Sequence, residues 1–84
     1  MDAEHLRTLV AIAQPDPAPP AAHVNRALRD PRVLRQITAL ERELGVLLFI
    51  RGSGRTKFTQ AGAAFLPVAR EFLASIDRGK TQAR

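Results

Sequence analysis

Apolar residues recur at helical spacing in four stretches of this 84-residue chain, and the period changes in one. Leu6, Leu9, Val10 and Ala13 stand at i, i+3, i+4 and i+7, the buried stripe of a short amphipathic helix. Asp2 is placed to cap it, and Glu4 lies in the first turn, where the helix dipole favours negative charge. The helix must stop near Gln14, because Pro15, Pro17, Pro19 and Pro20 crowd the next six residues. Such a connector is stiff and sets the angle to the next helix. Pro20 suits that helix's first turn, and Ala21, Val24 and Leu28 form its thin apolar stripe.

A third helix is better marked. Asp30 is a good N-cap acceptor, Pro31 a good first residue, and Val33, Ile37, Leu40 and Leu44 make its core face. Glu41, Arg42 and Glu43 are expected toward solvent, with Gly45 closing the helix in a left-handed cap. Residues 47–51 and 55–59 then read as two short strands around Gly52, Ser53 and Gly54. Thr59 caps a last helix extending to about Arg78, with Phe65, Val68, Ala69, Phe72 and Ile76 on one face and Gly79 at its end. The expected architecture is mainly α: three helices, a two-stranded wing and a long C-terminal linker helix. Residues 1–58 form a winged helix-turn-helix, 59–79 a linker and dimerisation helix, and 80–84 a disordered tail.

Charge sharpens this picture. Thirteen Lys and Arg against eight Asp and Glu give +5, and eight of the thirteen (Arg26, Arg29, Arg32, Arg35, Arg42, Arg51, Arg55 and Lys57) fall mid-chain, as suits a surface meeting a polyanion. One domain of this size leaves no room for a second, ligand-binding one, and no small-molecule pocket is evident. The absence of cysteine excludes disulfides and thiolate metal sites. No apolar run approaches a membrane span, no signal sequence opens the chain, and the simplest address is the cytoplasm.

Residues 31–49, PRVLRQITALERELGVLLF, resemble the recognition helix and following turn of LysR-type transcriptional regulators. Arg51, FTQAG at 58–62 and FLPVAR at 65–70 look like that family's wing and linker helix, and His5 to Arg7 with residues 9–13 fit its first helix. The resemblance covers nearly the whole chain outside residues 14–30. It implies a winged helix-turn-helix in a bacterial, nucleoid-associated regulator that binds double-stranded DNA as a homodimer, its last helix pairing with its partner's. The family's usual inducer-binding domain is not among these residues. Two positions depart from the pattern: Arg29-Asp30-Pro31 replaces a Ser-Gln-Pro entry, and Leu34 replaces a small polar residue, so it offers a base only apolar contact.

The candidate DNA-binding residues are therefore Arg29, Asp30, Arg32, Leu34, Arg35, Arg51, Arg55 and Lys57. The third helix is expected in the major groove, with Arg35 matching a family arginine; the wing and the entry to the second helix are expected on phosphates. A solvated basic face is the bland alternative. Phe65, Leu66, Ala69, Phe72, Leu73 and Ile76 are the dimerisation candidates, since apolar residues on more than one face of a long helix want a partner; burial of both stripes within one domain is the competing reading. Pro67 implies a kink or a tolerance created by packing. His5 and His23 lack acidic partners at ligand spacing, Glu41 and Glu43 point to different sides of their helix, and no serine has a nucleophile's context, so neither a cofactor, a metal nor an enzyme activity is expected. A second function class stays open: an interaction module that heterodimerises through its C-terminal helix and inhibits a full-length regulator.

Overall fold

The computed structural model describes residues 1–14, 20–52 and 55–83, with residues 51, 52 and 55 described through their backbone alone. The element order is α1 (Ala3–Ile12), α2 (Ala21–Arg29), α3 (Pro31–Leu44), β1 (Phe49–Gly52), β2 (Arg55–Phe58) and α4 (Gln60–Ala83). This is a winged helix-turn-helix with a long C-terminal helix. The proline-rich connector at 15–19 and the turn residues Ser53 and Gly54 lie outside the described residues.

Local chemistry sets the helix ends. Asp2 Oδ1 accepts the Glu4 N–H at 2.8 Å and Asp30 Oδ1 the Arg32 N–H at 2.9 Å, each satisfying a donor that the first helical turn leaves unpaired. Gly45, at φ 73°, closes α3 by donating its N–H to the Glu41 carbonyl, in a conformation that a Cβ would strain. Pro20 is the N-cap residue of α2, one position before the expected helical turn, because its extended backbone (ψ 141°) ends the approach to the helix.

The core gathers Leu6, Leu9, Ile12 and Ala13 of α1 and its C-cap, Val24 and Leu28 of α2, Ile37 and Leu40 of α3, Leu48 and Phe49, and Leu66 and Ala69 of α4. Val10, Val33 and Leu44 pack against it half-buried. Two side-chain hydrogen bonds tie elements across it: the Thr8 hydroxyl donates to the Gln36 carboxamide oxygen, joining α1 to α3, and the Thr56 hydroxyl to that of Asn25, joining β2 to α2.

The strands pair antiparallel, Phe49 opposite Phe58 and Ile50 opposite Lys57, with the two Phe rings 4.6 Å apart. β1 begins at Phe49 rather than at residue 47, since the preceding backbone is committed elsewhere: the Leu47 carbonyl accepts the Thr59 hydroxyl and the Leu48 N–H reaches Glu41 Oε2 at 2.7 Å. Glu41 is thus half-buried as a loop anchor, not solvated as its place beside Arg42 implied.

Two expectations for the last helix are corrected. It does not stop near Arg78; it passes through Gly79 and continues to Ala83, so 80–83 are helical rather than a disordered tail. A glycine ends a helix only when it turns left-handed, and otherwise costs the helix about 1 kcal/mol relative to alanine. Arg78 pairs with Glu71 at 3.1 Å just before the glycine, and the Thr81 hydroxyl donates to the Asp77 carbonyl across it. The core-facing stripe is also different: Gly62, Leu66 and Ala69 are buried and Leu73 packs against the core, whereas Val68 and Phe72 are 58% and 45% exposed. α4 is helical throughout, with Pro67 on its exposed side.

Candidate nucleic-acid interface

α2 and α3 meet at Asp30 alone, which ends one helix and caps the next. This tight joint brings Arg29, in the last turn of α2, beside Arg32 and Arg35 on α3, and all three side chains are exposed. Arg29 and Arg26 lie where a helix dipole favours cations. Arg32 does not: it sits in the first turn of α3, which holds no acidic residue, although the positive end of the dipole disfavours a cation there. Helix stability alone gives no reason for that placement. A polyanion in front of the α3 N-terminus would favour it.

Asp30 is occupied by its own helix. Its Oδ1 caps Arg32 N and lies 3.9 Å from Arg32 Nε, so the carboxylate is partly neutralised rather than presented to an approaching phosphate. Arg35 carries no such partner among the described residues and projects into solvent one turn further on. Lys57 is exposed on β2 opposite Ile50. Arg51 and Arg55 occupy the paired strands, opposite Thr56 and Gly52, and their side chains lie outside what is described.

Leu34 is half-buried. It lines a cleft of about 420 Å³ with Leu28, Ile37, Thr38, Glu41, Leu47 and Phe49, a feature the sequence did not announce. Sequence reasoning also missed Asn25, Thr56, Thr8 and Gln36, whose contacts span 28 and 31 residues and leave no local periodic signal. The inward turn of Thr56, 5% exposed, was accessible in principle from strand alternation with Lys57.

The dimerisation candidates divide into two sets. Leu66 and Ala69 belong to the chain's own core and Phe65 and Leu73 pack on it, while Ile76 is half-buried and Phe72 is exposed. Phe65 and Phe72, with Val68, border a 260 Å³ apolar groove that also involves Met1 and Leu6 of the N-terminal segment. Among the described residues no group of His, Cys, Asp and Glu is assembled to hold a metal, and no helix is long and apolar enough to cross a membrane.

A recognition-type helix entered through a one-residue joint, a two-stranded wing and a basic surface define a winged helix-turn-helix protein of the DNA-binding class. Residues 3–63 match the family described as the lysR family of bacterial regulatory helix-turn-helix proteins, and the chain belongs to that family. Over 88 aligned residues it is 42% identical to the HTH-type transcriptional regulator TfdS of Cupriavidus pinatubonensis, covering 100% of this chain and 30% of the relative. It is 36% identical over 78 residues to the regulator BenM of Acinetobacter baylyi, covering 93% of this chain and 25% of that one. The chain therefore spans less than a third of the length of these relatives. Among solved structures, all of this chain superposes on all of the CbnR DNA-binding domain in its DNA complex (TM-score 0.70, 34% identity). It also superposes on the BenM DNA-binding domain bound to benA site 1 DNA (TM-score 0.75, 32% identity), covering 99% of this chain and 92% of that one.

Proposed function

We propose that these residues are the DNA-binding unit of a LysR-type transcriptional regulator, placing α3 in the major groove of a specific operator. Arg35 and Arg32 reach the groove and its bordering phosphates, Arg29 contacts the backbone at the helix entry, and Lys57 with Arg51 and Arg55 holds the wing against the flanking strand. The observation that carries this reading is the set of exposed arginines around the N-terminal end of α3, one of them placed against the helix dipole. The solved DNA complexes of CbnR and BenM support it by likeness of fold. Dimerisation follows through the apolar groove on α4, with Phe65, Val68, Phe72 and Ile76 as the pairing side chains. The unit acts as a binding module without catalysis, in the cytoplasm at the nucleoid.

Fluorescence anisotropy of a random-sequence duplex at several salt concentrations tests this directly. Affinity is expected to fall with salt at a log-log slope of about −0.9 per neutralised phosphate, and Arg35→Ala is expected to weaken binding and flatten that slope by roughly one. No binding at low salt moves the reading to partner capture through α4, the inhibitory interaction module.

A further inference from the structure

We propose that Leu34 is a specificity-determining residue that reads the 5-methyl group of a thymine in the major groove. The proposal rests on the DNA-binding reading above and adds the chemistry of one base position to it.

The flanks of α3 are unequal. Successive residues stand about 100° apart around a helix, so Gln36 marks one flank and Leu34 with Thr38, one turn apart, marks the other. α1 occupies the Gln36 flank through the Thr8 hydroxyl. The Leu34 flank borders the open cleft, and next to it around the helix comes the exposed Arg35. Arg35 stands about 100° from Leu34 around the helix and Arg32 about 160°, so Arg35 is the nearer of the two exposed cations.

Leu34 is not required to complete the core. Ile37 and Leu40 fill the centre of α3 at 2% and 0% exposure, and Leu28 covers the α2 side at 6%, while Leu34 keeps part of its surface free. Leu28 and Ile37 line the same cleft as Leu34. Its side chain has no donor or acceptor. Against guanine N7 and O6, or a cytosine amino group, it would desolvate a polar edge and return nothing, whereas the thymine C5-methyl is the apolar feature a base presents in that groove. One side chain thus both accepts thymine and penalises other bases.

The experiment uses the 84-residue chain with a duplex selected by it from a random pool, each thymine replaced in turn by deoxyuridine, which removes the methyl and nothing else. At one thymine per half-site the replacement is expected to weaken binding about fourfold, the worth of one buried methyl. Leu34→Ala should bind the thymine and uracil duplexes equally with its circular dichroism unchanged, and Leu34→Met, which keeps an apolar contact, should retain the discrimination. Indifference of the unaltered chain to every uracil, or equal sensitivity in both the alanine variant and the unaltered chain, overturns the proposal while salt-dependent binding leaves the DNA reading standing. Failure to bind any duplex overturns both.

Discussion

α3 and α4 are both amphipathic, yet their apolar residues meet opposite fates. α3 has one stripe, two defined caps and a basic outer side, and that stripe of Val33, Ile37, Leu40 and Leu44 ends against the core, with Leu34 on its flank. α4 has two adjacent stripes. Gly62, Leu66, Ala69 and Leu73 face the core, while Val68 and Phe72 remain exposed beside Met1. A helix with a single stripe is satisfied by its own domain, whereas a second stripe leaves apolar area open to another molecule. The charged side of α3 and the apolar side of α4 are thus the two surfaces proposed above for DNA and for a second copy of the chain.

The sharpest way to break this contrast is to truncate one apolar residue from each helix. Leu40→Ala, at a site 0% exposed, should cost about 2–5 kcal/mol in urea unfolding, enough to unfold much of a domain this small. Phe72→Asp should leave helicity intact and instead shift the sedimentation profile from dimer to monomer; an unchanged profile would remove α4 as the pairing surface. Asp30→Ala removes the α3 cap and should lower stability by about 1 kcal/mol, read as a drop in thermal midpoint, and should loosen the α2–α3 joint. The smallest effect is expected from Gly79→Ala. Nothing lies within 4 Å of the added methyl and the backbone is helical, so the far end of α4 should gain up to about 1 kcal/mol, seen as slower amide exchange there.

What the sequence made legible follows the range of the interactions. The Asp2, Asp30, Gly45 and Thr59 caps operate within a few residues and were readable, as were the α3 stripe and the hairpin. The exposed arginines of α3 were readable for the same reason: helical spacing fixes the side from which they project. The outward face of α4 was not, because Phe65, Val68 and Phe72 lie next to Leu66 and Ala69 around the helix, and only the position of α1 decides which stripe is covered. Glu41 deceived for a related reason. Its charge suggests solvent, and its partner, the Leu48 N–H, becomes available only once the chain has turned at Gly45.

The junction of β2 and α4 has a mechanical consequence. Thr59 is fastened twice, its hydroxyl to the Leu47 carbonyl and its N–H to that of Leu48, and Gly62 lies so close that a Cβ would collide with the same Leu48 carbonyl oxygen. No compressible side chain of Gly62 intervenes at that point, so α4 cannot swivel there without dragging the approach to the wing. At 24 residues the helix is a lever arm of roughly 36 Å, and each degree of rotation at the fulcrum moves its tip by roughly 0.6 Å. Read in reverse, the ratio means that whatever grips the far end of α4 aims the recognition surface with a large mechanical advantage.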